Sequence, residues 1–471
     1  MKFISKFSKI IPILLFAFVI VACSDDDDNN VGGNDPLPNI VELAQSNADL
    51  SSLVAALQAA DGDLINVLSG GTFTVLAPTN AAFDAFLSAN GFASLDQVPT
   101  DVLANILLNH VITGEVASTD LVASGAGYAS TNATGFGGNN MSLYFDTSAG
   151  VRFNNVASVI TPDVEASNGI VHVIDGVIGL PSIVDHALAN SGFSNLVAAL
   201  SAADGDLVNV LSGAGPFTVL APDNNAFTTF LNGTALADVP TDALAQILLN
   251  HVLAGGTLST DLVSAGAGYT NTSATGAGMN PMSLYFNTSE GVKFNGISSV
   301  AQADVIATNG VIHAVDAVIG LPTVVDFALA DPTFETLVAA LTRDDLTTDF
   351  VSVLSTADGS VPAPFTVFAP TNNAFGDLLT ELMVSGLGDI DEPTLNATLT
   401  FHVIGGANVQ ASGLSDNLTI STLGGDITAN VTPSPTITDA NDRVSNIIAF
   451  DVQAANGVIH AIDKVILPPL E

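Results

Sequence analysis

Positive charge is what this chain lacks most. Of its 471 residues only 8 are Lys or Arg, against 47 Asp or Glu, for a formal net charge of −39. Lys2, Lys6 and Lys9 sit at the very start, which leaves Arg152, Lys293, Arg343, Arg443 and Lys464 for everything else. So negative a surface repels phosphate backbones and excludes nucleic acid as a partner. Cations, basic surfaces and neutral polymers are compatible with it, as is simple solubility in salty water. Cysteine is limited to Cys23, so the body of the chain has no disulfide framework and no thiol chemistry. Tryptophan is absent, and a sugar site would have to use tyrosine or phenylalanine instead of indole platforms. No nucleophile elbow, phosphate loop or zinc-protease helix occurs. Hydrophobic residues make up 48% of the chain, enough to build cores, so the acidity is not that of a disordered tail.

What is present is repetition. Phe73-Thr-Val-Leu-Ala-Pro-Thr-Asn-Ala-Ala-Phe83 returns as Phe217-Thr-Val-Leu-Ala-Pro-Asp-Asn-Asn-Ala-Phe227 and again as Phe365-Thr-Val-Phe-Ala-Pro-Thr-Asn-Asn-Ala-Phe375. Each copy is followed by a helical pattern with one histidine, His110, His251 or His402. Each closes on a second phrase: Asn168-Gly-Ile-Val-His172-Val-Ile-Asp175, Asn309-Gly-Val-Ile-His313-Ala-Val-Asp316 and Asn456-Gly-Val-Ile-His460-Ala-Ile-Asp463. His110 to His251 and His172 to His313 are both 141 residues. Solenoid and propeller units repeat every ~20–50 residues, so this period means a tandem of whole domains, each large enough for its own core.

Within one unit the pattern predicts helices first and strands later, an α+β class. Ile40 to Leu57 has helical spacing and breaks at Ala60-Asp-Gly-Asp63. Phe73–Ala77 reads as a buried strand stopped by Pro78. Thr79, Asp223 and Thr371 then stand where a helix N-cap belongs, ahead of Asn80, Asn224 and Asn372. Leu103, Ile106, Leu107 and His110 share one helical face, which puts the histidine on the apolar side. Met141–Phe145 and Val151–Phe153 read as a hairpin, followed by strands at Val156–Val164 and Gly169–Ile174 with Asn168-Gly169 as the turn. Gly125–Tyr128 and Gly135–Gly138 read as loops. The third copy lacks the Gly-Ala-Gly-Tyr segment and reads Leu418-Thr-Ile-Ser-Thr422 in place of Met-Ser-Leu-Tyr-Phe.

The two phrases, in order and three times over, resemble the signatures of the fasciclin family across about residues 39 to 469. The resemblance implies a helical half packed on a β-sheet wedge. It divides the chain into domains at 39–182, 183–323 and 324–471. It also implies adhesion.

The start of the chain reads as a lipoprotein leader. Positive Lys2, Lys6 and Lys9 precede an apolar run, Ile10–Ala22, of 13 residues containing Pro12, too short for a comfortable permanent span. Val19-Ile-Val-Ala-Cys23 resembles the bacterial lipobox, with residues 1–22 removed and Cys23 lipidated. The segment 23–38, with Asp25–Asp28 and then Asn, Gly and Pro, is expected to be a solvated tether. Ser-Asp-Asp-Asp after the cysteine is similar to a surface-export signal. The expected address is the outer membrane, facing the exterior.

Chemistry is not expected at the signature residues. In a strand, residues three apart point to opposite faces, so His172 and Asp175 cannot readily chelate one ion, nor can His313 with Asp316 or His460 with Asp463. All six histidines are read as core groups bonded to backbone, with no metal and no cofactor. His186, in the first helix of the second domain, is read as exposed. Asp61 with Asp63, and Asp204 with Asp206, offer two carboxylates where calcium takes six to eight oxygens, and read as turns. The expected function is non-enzymatic adhesion from a membrane-held lipid to a cell-surface or matrix protein or a polysaccharide. A periplasm-facing protein that holds a small lipid or sugar is the other reading, and a cleft present in domains one and two but not three would favour it.

Overall fold

A computed structural model describes residues 36–469. The leader, Cys23 and the tether as far as Asp35 lie outside the described residues. No described helix is long and apolar enough to cross a membrane.

The first unit opens with short helices, Ile40–Ser46, Ser51–Ala59 and Leu64–Gly70. Its seven strands are β1 (Phe73–Pro78), β2 (Val111–Thr113), β3 (Ala126–Thr134), β4 (Asn140–Asp146), β5 (Arg152–Phe153), β6 (Ala157–Ala166) and β7 (Gly169–Ile174). Helices Asn80–Ala89 and Thr100–Leu108 lie between β1 and β2. Successive strands pair antiparallel, β1 pairs parallel with β7, and the sheet closes into a barrel. The same element order recurs from Phe217–Pro222 to Gly310–Val315 and from Phe365–Pro370 to Gly457–Ile462, each as a seven-stranded sheet.

Each unit has two cores, and β1 serves both. Val75 and Ala77 face Leu50, Leu53, Phe83 and Leu103 of the helical half. Leu76 faces Leu143, Phe145, Phe153 and Ile174 inside the barrel. A strand buried on both faces reads as a continuous apolar run, which is why Phe-Thr-Val-Leu-Ala-Pro was legible. The strands that escaped notice alternate or are short. Ala126–Thr134 contains the Gly-Ala-Gly-Tyr segment expected as a loop, and Val111–Thr113 has only three residues.

Two further expectations change. The β6–β7 turn is Ser167-Asn168, because Ala166 pairs with Gly169. Gly169 is required for another reason: at φ +143° its missing Cβ would lie 1.9 Å from the Phe73 carbonyl oxygen. In the third unit the strand order places Leu418–Ser421 at the position of the Gly-Ala-Gly-Tyr strand, and Asp426–Asn430 at the Met-Ser-Leu-Tyr-Phe position.

Candidate functional site

The signature side chains are occupied by the backbone around them. Thr79 Oγ1 accepts from Ala82 N–H, Asp223 Oδ1 from Ala226 N–H, and Thr371 Oγ1 from Ala374 N–H. Each thereby caps the helix that follows. The next residue caps a different helix. Asn80 Oδ1 accepts from Ser52 N–H at 2.8 Å while its amide donates to Ala48 O. Helix Ser51–Ala59 has no side-chain cap of its own, so Asn80 supplies one from 28 residues away. Asn224 and Asn372 do the same for Asn195 and Thr336.

The three histidines expected on helices stand just past the helix ends and are clamped alike. His110 Nδ1 donates to Ile106 O at 2.8 Å, and its Nε2 accepts from Ile178 N–H at 2.9 Å. His251 bridges Ile247 O and Ile319 N–H, and His402 bridges Thr398 O and Ile466 N–H. One nitrogen must carry a proton and the other must not, so the neutral ring fits. Burial pushes all three rings down to about 4. His172 donates from Nε2 to Val116 O and accepts at Nδ1 from Asp163 N–H. His313 and His460 repeat this with Thr257 and Asp304, and with Val409 and Asp451. Asp175, Asp316 and Asp463 accept from Ser158, Ser299 and Asn446 N–H across the β6–β7 pair and its counterparts.

The carboxylate nearest His172 is therefore Asp163, at 3.8 Å from Nδ1, not Asp175. The Asp163 carboxylate already accepts from the Ser118 N–H and hydroxyl. Among the described residues no cluster of three or more His, Cys, Asp or Glu is placed to hold a metal. Asp63 and Asp206 stand at helix starts and accept from Asn66 and Asn209.

One residue type in the phrases was missed. Asn168 accepts from Ile40 N–H and donates to Leu68 O and Gly71 O. Asn309 and Asn456 tie the same three segments together in their units. The signal was there, since the asparagine heads every copy of the phrase, but its partners lie about 100 residues away or more.

The surfaces that are not consumed by the fold meet between domains. The chain has four tyrosines, and all four stand at the two junctions. Tyr128 on β3 lies tilted against Tyr144 of β4, ring centres 5.2 Å apart, and meets the His186 ring edge-on at 5.7 Å. Asn190 Nδ2 donates to Tyr128 Oη at 3.3 Å, and Ser142 Oγ accepts from Ile306 N–H at 2.9 Å. The Phe136 ring lies against Gly256, where a Cβ would sit 1.9 Å from it. One repeat later Tyr269 lies tilted against Tyr285 at 5.1 Å and meets Phe327 edge-on at 5.7 Å. Tyr269 Oη donates to Asp331 at 2.9 Å, and Ser283 Oγ accepts from Gln453 N–H at 3.0 Å. Tyr285 belongs to the third domain's hydrophobic core. His186 is thus fully buried, correcting the exposed reading: the preceding domain's tyrosine covers it, and burial pushes its pKa down to about 4.

A groove runs beside each junction. At the first, a cavity of about 360 Å³ is lined by Asn154, Val156, Ile178, Leu180, Asp185 and Leu188. A second cavity of about 260 Å³ adjoins it across Leu188 and includes Tyr144, Asp146, Ser148, Arg152 and Ser191. The second junction has a counterpart of about 270 Å³ lined by Asn295, Ile297, Ile319, Leu321, Asp326 and Leu329. In the third domain the equivalent turn is closed by its own residues. Arg443 donates there to Asp439, to Val465 O and to Glu381.

Comparison with known proteins places these repeats. A fasciclin domain profile matches residues 48–181, 191–322 and 332–468. Human periostin is 28% identical over 311 residues, 65% of this chain and 34% of periostin. Protein sll1483 of Synechocystis sp. is 41% identical over 149 residues, 31% of this chain and 74% of that protein. The cell surface glycolipoprotein MPB83 of Mycobacterium bovis is 31% identical over 148 residues, 30% of this chain and 61% of that protein. The chain spans about a third of periostin's length.

Proposed function

This chain belongs to the fasciclin domain family, and on that premise we propose that it is a non-enzymatic, lipid-anchored cell-surface protein that adheres to cells, matrix or polysaccharide. The observation that carries the reading is the use made of the signature residues. Their caps, histidines and carboxylates are engaged with the chain's own backbone. Tandem repetition suits weak binding, because linked modules raise effective concentration. The anchor rests on the lipobox-like segment ending at Cys23, and a relative described as a cell surface glycolipoprotein supports it. The tether and its acidic run support an outward-facing outer-membrane address.

Protease shaving of intact cells, with blotting for the domains, tests this. Loss of the domains without lysis is the expected result. Protection until the outer membrane is opened would remove surface adhesion. The second reading, a periplasm-facing binder of a small lipid or sugar, would then lead. It too has an observation in its favour, since grooves occur beside the strand-rich halves of domains one and two, while Arg443 bonds across the equivalent turn of domain three.

A further inference from the structure

We propose that the two interdomain grooves are a matched pair of binding sites for a neutral polysaccharide, one strand of which engages both. The proposal rests on the interaction reading above and names its partner.

The first support is an unpartnered group that occurs twice. Asn154 Oδ1 accepts from Tyr144 N–H at 2.8 Å, which fixes the orientation of the amide. Its Nδ2 is left without a partner, although the residue is only 9% exposed. Asn295 is held by Tyr285 N–H in the same way, is 7% exposed, and has the same orphaned Nδ2. Buried donors are paired as a rule. The same one is left open in both copies, on residues that line the grooves, where a small local shift would offer it to an acceptor oxygen in the groove.

The second support is the lining. Val156 and Leu188 are 56% and 57% exposed, and Ile297 and Leu329 are 57% and 62% exposed. These aliphatic surfaces alternate with Asp185 and Asp326, with the orphaned amides and, at the first junction, with Ser148 and Ser191. A sugar ring has the matching character: C–H faces for the aliphatic groups and a rim of hydroxyls for the amides and carboxylates. An extended peptide would want a free strand edge, whereas these walls are a turn, a connecting loop and the helix Ile183–Ala189 or Val324–Ala330. The net charge of −39 disfavours acidic glycans.

The third support is the placing. The leading helix of domain one carries Gln45 where the later ones carry Leu188 and Leu329. The third domain closes the same turn with Arg443. Both of these grooves therefore stand where two domains meet, and a repeating ligand is the one that profits from two like sites on one chain.

The test uses the purified full chain in a detergent without a sugar headgroup, applied to an array of neutral and acidic glycans and of peptides. An oligosaccharide from the retained class is then titrated calorimetrically. Retention on neutral glycans and two oligosaccharide sites per chain are expected. Leu188→Asp and Leu329→Asp should each remove one site, and affinity for the polymer should fall ~10²–10⁴-fold when one of two linked sites is lost. Both residues are exposed; Leu188→Asn and Leu329→Asn with unchanged melting serve as folding controls. Failure to retain any neutral glycan, binding undiminished in the double variant, or retention of peptides or acidic glycans alone would each overturn the proposal. If cells still attach and are still shaved while glycan binding is absent, only this inference fails. If glycan binding is intact while the domains resist shaving, the surface reading fails and the grooves remain.

Discussion

His251 is buried in the second domain, and both its nitrogens are used by backbone groups. Desolvation holds its pKa at about 4, against 6.5 in the unfolded chain, and the same is true of His110, His186 and His402. Between those values the unfolded chain binds a proton that the folded chain excludes. Stability is therefore complete above pH ~6.5 and is lost as the pH falls toward ~4. At about 1.4 kcal/mol per unit, each ring withdraws on the order of 3 kcal/mol across that window. Melting temperature should drop steeply between pH 7 and 5, and less steeply in His251→Gln; equal melting at both pH values would refute this account. Asn309 gives a second residue-scale prediction. Removing its side chain strands one buried N–H and two carbonyls, at about 1–3 kcal/mol for a buried unsatisfied group. Asn309→Ala should cost at least ~3 kcal/mol in denaturant titration, and a loss under ~1 kcal/mol would show that water replaces the amide.

At the level of elements, the junction strands carry the contrast between what could and could not be read beforehand. Phe73–Pro78 was legible because burial on both faces leaves a continuous apolar run, and the caps after it were legible because proline and threonine mark a boundary. The apolar face of Thr100–Leu108 followed from spacing alone, though the helix ends before His110. Ala126–Thr134 was not legible, because Gly-Ala-Gly-Tyr looks like a loop until a second domain covers the tyrosine. His186 was misread for the same reason: its cover comes from 58 residues upstream, in another domain. Pairings that cross a domain boundary leave no local period. Gly276, which starts the turn after the equivalent strand, tests how tightly such elements meet. A Cβ there would lie 2.3 Å from the Ala454 carbonyl oxygen, and backbone on both sides leaves little room to yield. Gly276→Ala should loosen the second junction without unfolding either domain, seen as faster protease cleavage near Pro322 and a third-domain transition that separates on heating. A single transition identical to that of the parent chain would show the junction to be softer than its contacts suggest.

On the scale of the whole molecule, the three domains are alike in fold but not in their end faces, and the differences follow position in the row. Domain one presents exposed Glu165 where domain two has Ile306, 5% exposed against Ser142. Domain three presents exposed Thr419 and Ser421 on the strand that takes the place of the tyrosine strands. A face built to meet a neighbouring domain is an apolar patch when left open. The third copy lacks Gly-Ala-Gly-Tyr and Met-Ser-Leu-Tyr-Phe, the segments through which the first two copies meet the domain after them. A chain ending at Pro322 should expose Tyr269, which Asp331 and Phe327 now cover, together with Tyr285. It should self-associate in sedimentation velocity at concentrations where the full chain does not, and should bind an apolar dye. Tyr269→Ser in that shortened chain should restore the monomer, since it removes the ring at the centre of the patch while circular dichroism stays unchanged. A shortened chain that remains monomeric and dye-free would mean that the tyrosine face is as soluble as the polar faces of domains one and three.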